Sequence, residues 1–119
     1  MTWQRRTPDG ETICVEELRD HFLLKFWGFV VPIFVSNHAL QRQAERGLSV
    51  AGLGRTLLRL GPLILAYTRS GIGAAIIDAQ EGHTLLLEFP ERKLKAVVVS
   101  CLDKVQDVRL SPGTCPVIV

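Results

Sequence analysis

The stretch FVVPIFVSNHALQRQAERGLSVAGLGRTLLRL, residues 29–60, decides the expected fold. Its first part, residues 29–35, is rich in β-branched and aromatic side chains, which fit a pleated and half-buried strand. Pro32 cannot donate a hydrogen bond to a sheet, so it indicates an edge position or a strand that starts near Ile33. The first seven residues of this stretch therefore predict a strand.

Two helices are predicted directly after this strand. Ser36 or Asn37 is a suitable N-cap for a helix over 38–46, and the glycine that follows is a suitable stop signal. Ser49 can cap a second helix that ends near Leu60, where a Gly-Pro pair follows. Leucines in this second helix recur at helical spacing and predict a buried stripe.

The rest of the chain has the pattern of a β meander. Turn residues separate five candidate strands, which cover 63–68, 73–79, 83–89, 95–101 and 105–110. The segments 85–87 and 97–99 are continuously apolar. Strands of this kind are predicted to lie centrally in the sheet, covered on both faces or paired with another subunit.

An amphipathic helix is predicted near the N-terminus. Thr12 can cap a helix over 13–26, in which apolar residues recur at intervals of three and four. These residues form a stripe that could dock on a second subunit or on another protein: Val15, Leu18, Phe22 and Phe26. The whole pattern predicts a single α+β domain over 1–119, with helices packed on one face of an antiparallel sheet.

Composition argues against several classes of protein without excluding them. The net charge is +2, which is low for a strong nucleic-acid binder. The three cysteines are widely spaced, which disfavours a disulfide framework or a zinc site and indicates a reducing, cytoplasmic location. With 47% hydrophobic residues the chain has surplus apolar surface, and this predicts a homo-oligomer or a protein partner.

The apolar segment 22–35 is too short to cross a bilayer, so no membrane span is expected. It also lacks a clearly basic opposite face, which disfavours a membrane-surface role. Histidines are scattered without ligand spacing, and no phosphate-binding loop is present in full. Neither a metal nor a cofactor is expected.

The first predicted helix carries the most chemistry. His38, Arg42 and Arg46 follow one another at intervals of four, so each step turns only about 40° around the helix axis. Glu45 lies on the same side. Arginine binds phosphate oxygens through a planar fork, and histidine transfers protons near neutral pH. This ridge of side chains could support metal-independent RNA cleavage, although solvated helix charges give the same pattern.

The segment VSNHALQRQAERGLS, residues 35–49, resembles the opening of the BrnT-like family of small toxin-related proteins, with its Ser-x-His-Ala-x-x-Arg-x-x-x-Arg-Gly motif. The resemblance covers 33–110 and leaves 1–32 as an N-terminal extension and 111–119 as a tail. It implies a RelE-like fold and, for toxin members, ribonuclease activity that a cognate antitoxin neutralises. His38, Arg42 and Arg46 match the motif as catalytic residues.

Three further residues are possible additions to such a site: Glu45, His83 and Arg109. The alternative is a non-enzymatic interaction or inhibitor protein of phage or mobile-element type. The two hypotheses differ in what the helix should show. An enzyme should place the motif residues in an open electropositive groove and bind RNA. An interaction protein should tie its arginines to its own carboxylates and expose an apolar patch on the N-terminal helix.

Overall fold

The computed structural model describes residues 1–105 and 113–119. These residues form eight strands, two α-helices and one 3₁₀ segment. In chain order the elements are β1 (Thr2–Arg6), β2 (Thr12–Glu17), β3 (His21–Phe26), β4 (Phe29–Val35), α1 (Asn37–Glu45), α2 (Val50–Leu60), the 3₁₀ segment (Gly61–Ala66), β5 (Gly73–Asp78), β6 (His83–Glu88), β7 (Ala96–Leu102) and β8 (Thr114–Ile118).

All eight strands belong to one mixed sheet with the order β1-β2-β3-β4-β7-β6-β5-β8. The pairs β4–β7 and β5–β8 are parallel, and the other neighbours are antiparallel. Helix α2 contacts β1, β2 and β3 near one end of the sheet and also β5 near the other. The sheet therefore curls around α2, as strongly twisted sheets do. We call the side that faces the helices the inner face and the opposite side the outer face.

The predicted fold class is wrong. Strands dominate the chain, the sheet is mixed, and the arrangement is not a RelE-like layer of helices on an antiparallel sheet. The largest error is the helix predicted over 13–26, because this segment forms the hairpin β2–β3. Burial there follows a period of two, which is the strand period. The fully or almost fully buried residues are Ile13, Val15, Phe22, Leu24 and Phe26.

The elements after residue 29 agree better with the sequence. The helices α1 and α2 and the strands β4, β5, β6 and β7 are confirmed to within a few residues, and β6 and β7 are interior strands as predicted. The strand predicted over 63–68 is wrong, because 61–66 forms the 3₁₀ segment, which Pro62 opens. The strand predicted over 105–110 lies outside the described residues except for Val105.

Pro32 lies in an interior strand, at a point where that strand is paired on one side only. Strand β4 is flanked by β3 and β7, so it is not an edge strand. Its pairing with β7 nevertheless begins at Ile33, one residue after Pro32. The missing N–H group of proline is therefore tolerated, because only β3 pairs with β4 at that position.

One hydrophobic core fills the inner face of the sheet. Leu53, Leu57 and Leu60 of α2 are buried in it, which confirms the predicted leucine stripe. Gly54 allows the closest approach, since a Cβ atom there would lie 2.5 Å from the ring of Trp3. Among the described residues no single helix is long and apolar enough to cross a membrane, and only the sharply bent pair Asn37–Glu45 and Val50–Ala66 together meets that requirement.

Candidate functional site

Helix α1 presents the predicted ridge, and its local structure follows from its capping residue. Ser36 is the N-cap, and its hydroxyl accepts a hydrogen bond at 3.0 Å from the backbone N–H three residues on. The helix then packs on β7. His38 and Glu45 are exposed, while Arg42 and Arg46 are half-buried. The four side chains therefore share one helix, but they do not share one environment.

Both arginines of the ridge are engaged by the protein itself. The Arg42 guanidinium donates to the Glu45 carboxylate at 2.8 Å, and Gln41 donates to the same carboxylate at 2.8 Å. These hydrogen bonds, from Gln41 first and Arg42 second, lower the pKa of Glu45. The Arg46 guanidinium donates to the backbone carbonyl of Cys101 in β7. The guanidiniums are thus held in place by protein acceptors rather than presented to a ligand.

The ridge does not line the cavity that the structure shows on the other half of the sheet. That cavity has a volume of about 810 Å³ and lies on strands β5 to β8 and the adjoining loops, with no residue of α1 in its wall. Its lining includes Gly73, Leu86, Glu88, Val99 and Thr114. This cavity is therefore not the electropositive groove that a ribonuclease site on α1 requires.

The remaining candidates are dispersed. His83 is 2% exposed on β6, and Arg109 lies outside the described residues. The residues of the expected docking stripe are mainly in the core: Val15, Phe22 and Phe26 are 4% exposed or less, and Leu18 is half-buried in the turn between β2 and β3. Because the helix that would display them is a strand hairpin, this stripe forms no exposed apolar surface.

A buried polar network, which sequence reasoning missed, joins α2 to the turn between β5 and β6. The Asp78 side chain is fully buried and accepts hydrogen bonds from Thr56 at 2.7 Å and from Arg59 at 2.6 Å. Its other oxygen accepts from the backbone N–H groups of Gln80 and Glu81 at 3.0 and 3.1 Å. Asp78 therefore receives four hydrogen bonds, which is the usual condition for burying a carboxylate.

The outer part of this network is a paired ion cluster. Arg55 donates two hydrogen bonds to Glu81, at 2.7 and 2.9 Å, and Arg59 donates a third at 3.0 Å. The hydrogen bonds from Arg55 are the main cause that lowers the pKa of Glu81 to about 2. For Asp78 burial acts to raise the pKa, but the hydrogen bonds from Thr56 and Arg59 outweigh it and the pKa is lowered.

His83 closes the inner end of the network. Its Nε2 atom lies 2.6 Å from the Thr56 hydroxyl, whose own proton is donated to Asp78. The Nε2 atom must therefore carry the proton and donate to Thr56. Burial lowers the pKa of His83, so the ring is neutral at neutral pH. Since no buried side-chain nitrogen or oxygen in the described ranges lacks a partner, this network holds α2 in place rather than offering a free acid or base.

The sequence contained one signal for this network. Arg55 and Arg59 are four residues apart and so share a face of α2, while Asp78 and Glu81 flank a turn signal between two strands. Only the packing of α2 against β5 brings the two pairs together. In the described ranges, this network included, no group of three His, Cys, Asp or Glu side chains could hold a metal ion.

The described surface also has two apolar features. On the outer face, Leu23 pairs with Pro32 and Phe34 pairs with Val97, so these four side chains form an apolar patch across β3, β4 and β7. The ring of His21 borders the patch and stacks on the ring of Phe34, with the ring centres 5.0 Å apart. At the turn between β3 and β4, Trp27, Phe29 and Val30 are 48%, 41% and 47% exposed. We call the first feature the outer patch and the second the apex.

Comparison with family models, with curated proteins and with solved structures found no match for this chain. The resemblance to the BrnT-like family therefore stays a prediction that rests on the motif of α1.

Proposed function

We propose that this protein is a non-enzymatic interaction protein that associates with a second copy of itself through the outer patch. The observation that carries the proposal is an apolar outer face on the central strands, where the described helices cover only the inner face. Phe34, at the centre of the patch, is 37% exposed although it occupies an interior strand. An uncovered apolar patch on a sheet is typical of an interaction surface.

The face of the sheet is a better interface than its β8 edge. Strand β8 forms one edge, and the N–H group of Val119, just after it, donates to Ile77 of β5. The backbone N–H groups of successive residues in a strand point alternately to its two edges. The N–H group of Val119 points to β5, so the nitrogen of Pro116, three residues earlier, points away from β5 toward the open edge. A proline there removes a donor that an added strand would need, which is a common protection of edge strands.

The charges around the outer patch favour a second copy as the partner. The Lys95 ammonium lies 5.5 Å from the centre of the Phe34 ring, and Glu88 pairs with Val97 on the other side of the patch. Lys25 and Glu16 form an ion pair at 2.8 Å on the neighbouring strands. Bases and acids thus alternate around one apolar centre, and a two-fold axis can place each sign opposite the other.

Replacing Phe34 with serine tests this association. The variant removes an aromatic side chain from both halves of a symmetric interface, so we expect dimerisation to weaken by roughly 10-fold to 100-fold or more. Sedimentation velocity over a range of protein concentrations measures the change. Leu40→Ser is the matched control, because Leu40 is 46% exposed on α1, away from the outer patch. A wild-type protein that stays monomeric, or equal loss of the dimer in the control, would contradict the proposal.

A metal-independent ribonuclease of the cytoplasm, held inactive by an antitoxin, is the second candidate function. It is favoured by the exposed His38 at the start of α1, on the same side of the helix as Arg42 and Arg46. In this function the arginines bind RNA phosphates and His38 transfers a proton. Substrate binding would have to displace Glu45 from Arg42, because the two now form an ion pair.

Induction of the protein in bacteria tests the ribonuclease hypothesis. A ribonuclease is expected to arrest growth and degrade bulk RNA, and His38→Ala is expected to abolish both effects. Arg42→Ala/Arg46→Ala should do the same, provided that circular dichroism shows a folded protein. Arg19→Ala is the control, since Arg19 is an exposed base in a turn outside α1. Normal growth and intact RNA at high expression of the wild type would rule out this function.

A further inference from the structure

The apex combines exposure with an unfavourable backbone conformation. Phe26 pairs with Phe29, so Trp27 and Gly28 alone form the turn. Both have positive φ angles, 49° for Trp27 and 78° for Gly28, as the two-residue turns that match strand twist require. Glycine and asparagine suit such positions, whereas a tryptophan there costs roughly 1–2 kcal/mol. Local folding therefore does not explain why a large aromatic side chain stands at this turn.

The position of the Trp27 ring is nevertheless well defined. It contacts the ring of Phe26 edge-on, with the ring centres 5.7 Å apart, while about half of its surface stays exposed. Phe29 and Val30 on the next strand add two exposed apolar side chains beside the turn, Phe29 on the side of Phe26 and Val30 on the opposite side of the sheet. The apex is thus a convex apolar tip and not the wall of a groove.

Other exposed groups lie at the same end of the sheet. The register of β1 with β2 and of β2 with β3 places the turn after Arg6 beside the apex. The 3₁₀ segment packs near this end, because Gly61 lies close to Arg5 and Ile13 and the segment contacts β3. Its Leu63 is 55% exposed and adds an exposed aliphatic side chain at this end of the sheet.

Basic side chains surround this tip. Strand β7 runs parallel to β4, so the loop that precedes β7 reaches the apex end of the sheet. Arg69 and Arg92, which meet through a backbone hydrogen bond, both have positive φ angles and both are exposed there. Lys25 at this end is already paired with Glu16 at 2.8 Å. The other bases at this end are Arg6, Arg69, Arg92, Lys93 and Lys95, and the other acids are Asp9, Glu11, Glu88 and Glu91, which leaves a small excess of positive charge.

We infer that the apex end of this protein docks on an anionic lipid surface, with Trp27, Phe29, Val30 and Leu63 entering the interfacial layer and the surrounding bases contacting lipid phosphates. Tryptophan is enriched at the level of lipid headgroups, and basic residues near a membrane add about 1 kcal/mol each. Two aliphatic side chains in the tip favour lipid over single-stranded nucleic acid, because Val30 and Leu63 cannot stack on bases. The convex shape favours a deformable lipid layer over a flat protein surface.

Binding to vesicles tests this inference directly. We expect the wild-type protein to sediment with vesicles of phosphatidylcholine and phosphatidylserine and to stay in solution with phosphatidylcholine alone. The chain has two tryptophans, and Trp3 packs against Gly54 and Phe22 in the interior. Bromine-labelled lipids should therefore quench the emission of Trp27 and leave that of Trp3.

Two variants separate the apolar and the ionic parts of the surface. Trp27→Asn places a residue suited to this turn, so it should fold at least as well as the wild type and lose vesicle binding by about tenfold or more. Arg69→Asn/Arg92→Asn introduces residues that tolerate positive φ and removes two bases. We expect this variant to lose vesicle affinity by roughly 30-fold. Leu40→Gln is the control, because Leu40 is an exposed apolar residue on α1. This variant should bind vesicles like the wild type.

Several results would overturn the inference. One is the absence of sedimentation with anionic vesicles, and another is vesicle binding that Trp27→Asn leaves unchanged. A third is retention of single-stranded RNA, but not of vesicles, that depends on Trp27 and the two arginines. A fourth is a shift of Trp27 emission with protein concentration alone, since that would place a second copy on the apex.

Discussion

Asp78→Ala is expected to lower the free energy of unfolding by about 3–5 kcal/mol, the cost of removing one partner from a buried ion pair. The Asp78 side chain is fully buried, and the substitution leaves Thr56 and Arg59 without their shared acceptor. It also removes the acceptor of two backbone N–H groups in the turn that follows β5. Urea denaturation at neutral pH, followed by circular dichroism, measures the loss.

A matched pair of variants makes this result specific. Glu88→Ala removes an exposed carboxylate from the neighbouring strand and should change stability by no more than about 0.5 kcal/mol. Asp78→Asn keeps an acceptor oxygen of the same size, so it should fall between the wild type and Asp78→Ala. If Asp78→Ala were as stable as Glu88→Ala, the network around Asp78 would not hold α2 against β5.

The sequence predicted those elements that local signals define. Ser36 and Ser49 are both N-caps in the structure, and each accepts the expected backbone hydrogen bond. Turn residues also separated β5, β6 and β7 correctly, and the apolar runs in β6 and β7 marked interior strands. These signals act within a few residues, so they are legible without knowledge of the tertiary structure.

The N-terminal hairpin could not be recognised in the same way. Val15, Phe22 and Phe26 fit a helical spacing, yet Val15 also alternates with Ile13, and Phe22 with Leu24. Short apolar segments allow both periods. The choice between them depends on pairing with β1 and β4 and on packing against α2, and these contacts are distant in sequence.

The candidate sites, like the N-terminal hairpin, depend on contacts that are distant in sequence. Spacing placed His38, Arg42 and Arg46 on one side of a helix, but it could not show that Arg46 would bind the carbonyl of Cys101, 55 residues away. The basic groups of the apex end come from separate loops, which is why the segment 22–35 alone showed no basic face. What the side chains of a site meet is decided by topology, and topology was the part of the fold that the sequence did not reveal.

Acid is expected to destabilise this protein in two steps, both of which arise in the network of α2. The pKa of His83 is lowered in the folded state. Its contribution to the free energy of unfolding is therefore present above the ordinary pKa of 6.5 and is lost as the pH falls below that value. The pKa of Glu81 is lowered from 4.5 to about 2, so its contribution is present above pH 4.5 and is lost between pH 4.5 and 2. The second step is worth roughly 2–3 kcal/mol, after allowance for the partly exposed Arg55.

Urea denaturation at a series of pH values resolves the two steps. Glu81→Gln should reduce the step below pH 4.5 to the part that comes from Asp78, whose pKa is also lowered from its ordinary value of 3.8, and should leave the step near neutral pH, because an amide keeps the size of the side chain but does not titrate. His83→Gln should do the reverse. An exposed control, Glu11→Gln, should leave both steps unchanged. If stability rose on acidification from pH 7 to 5, burial of the neutral His83 ring would not contribute to the pH dependence. If Glu81→Gln lost as much stability between pH 4.5 and 2 as the wild type, the ion cluster of Arg55, Arg59 and Glu81 would not stabilise the folded state. If both steps behave as expected, the same cluster that encloses no free acid or base still couples the stability of α2 to pH.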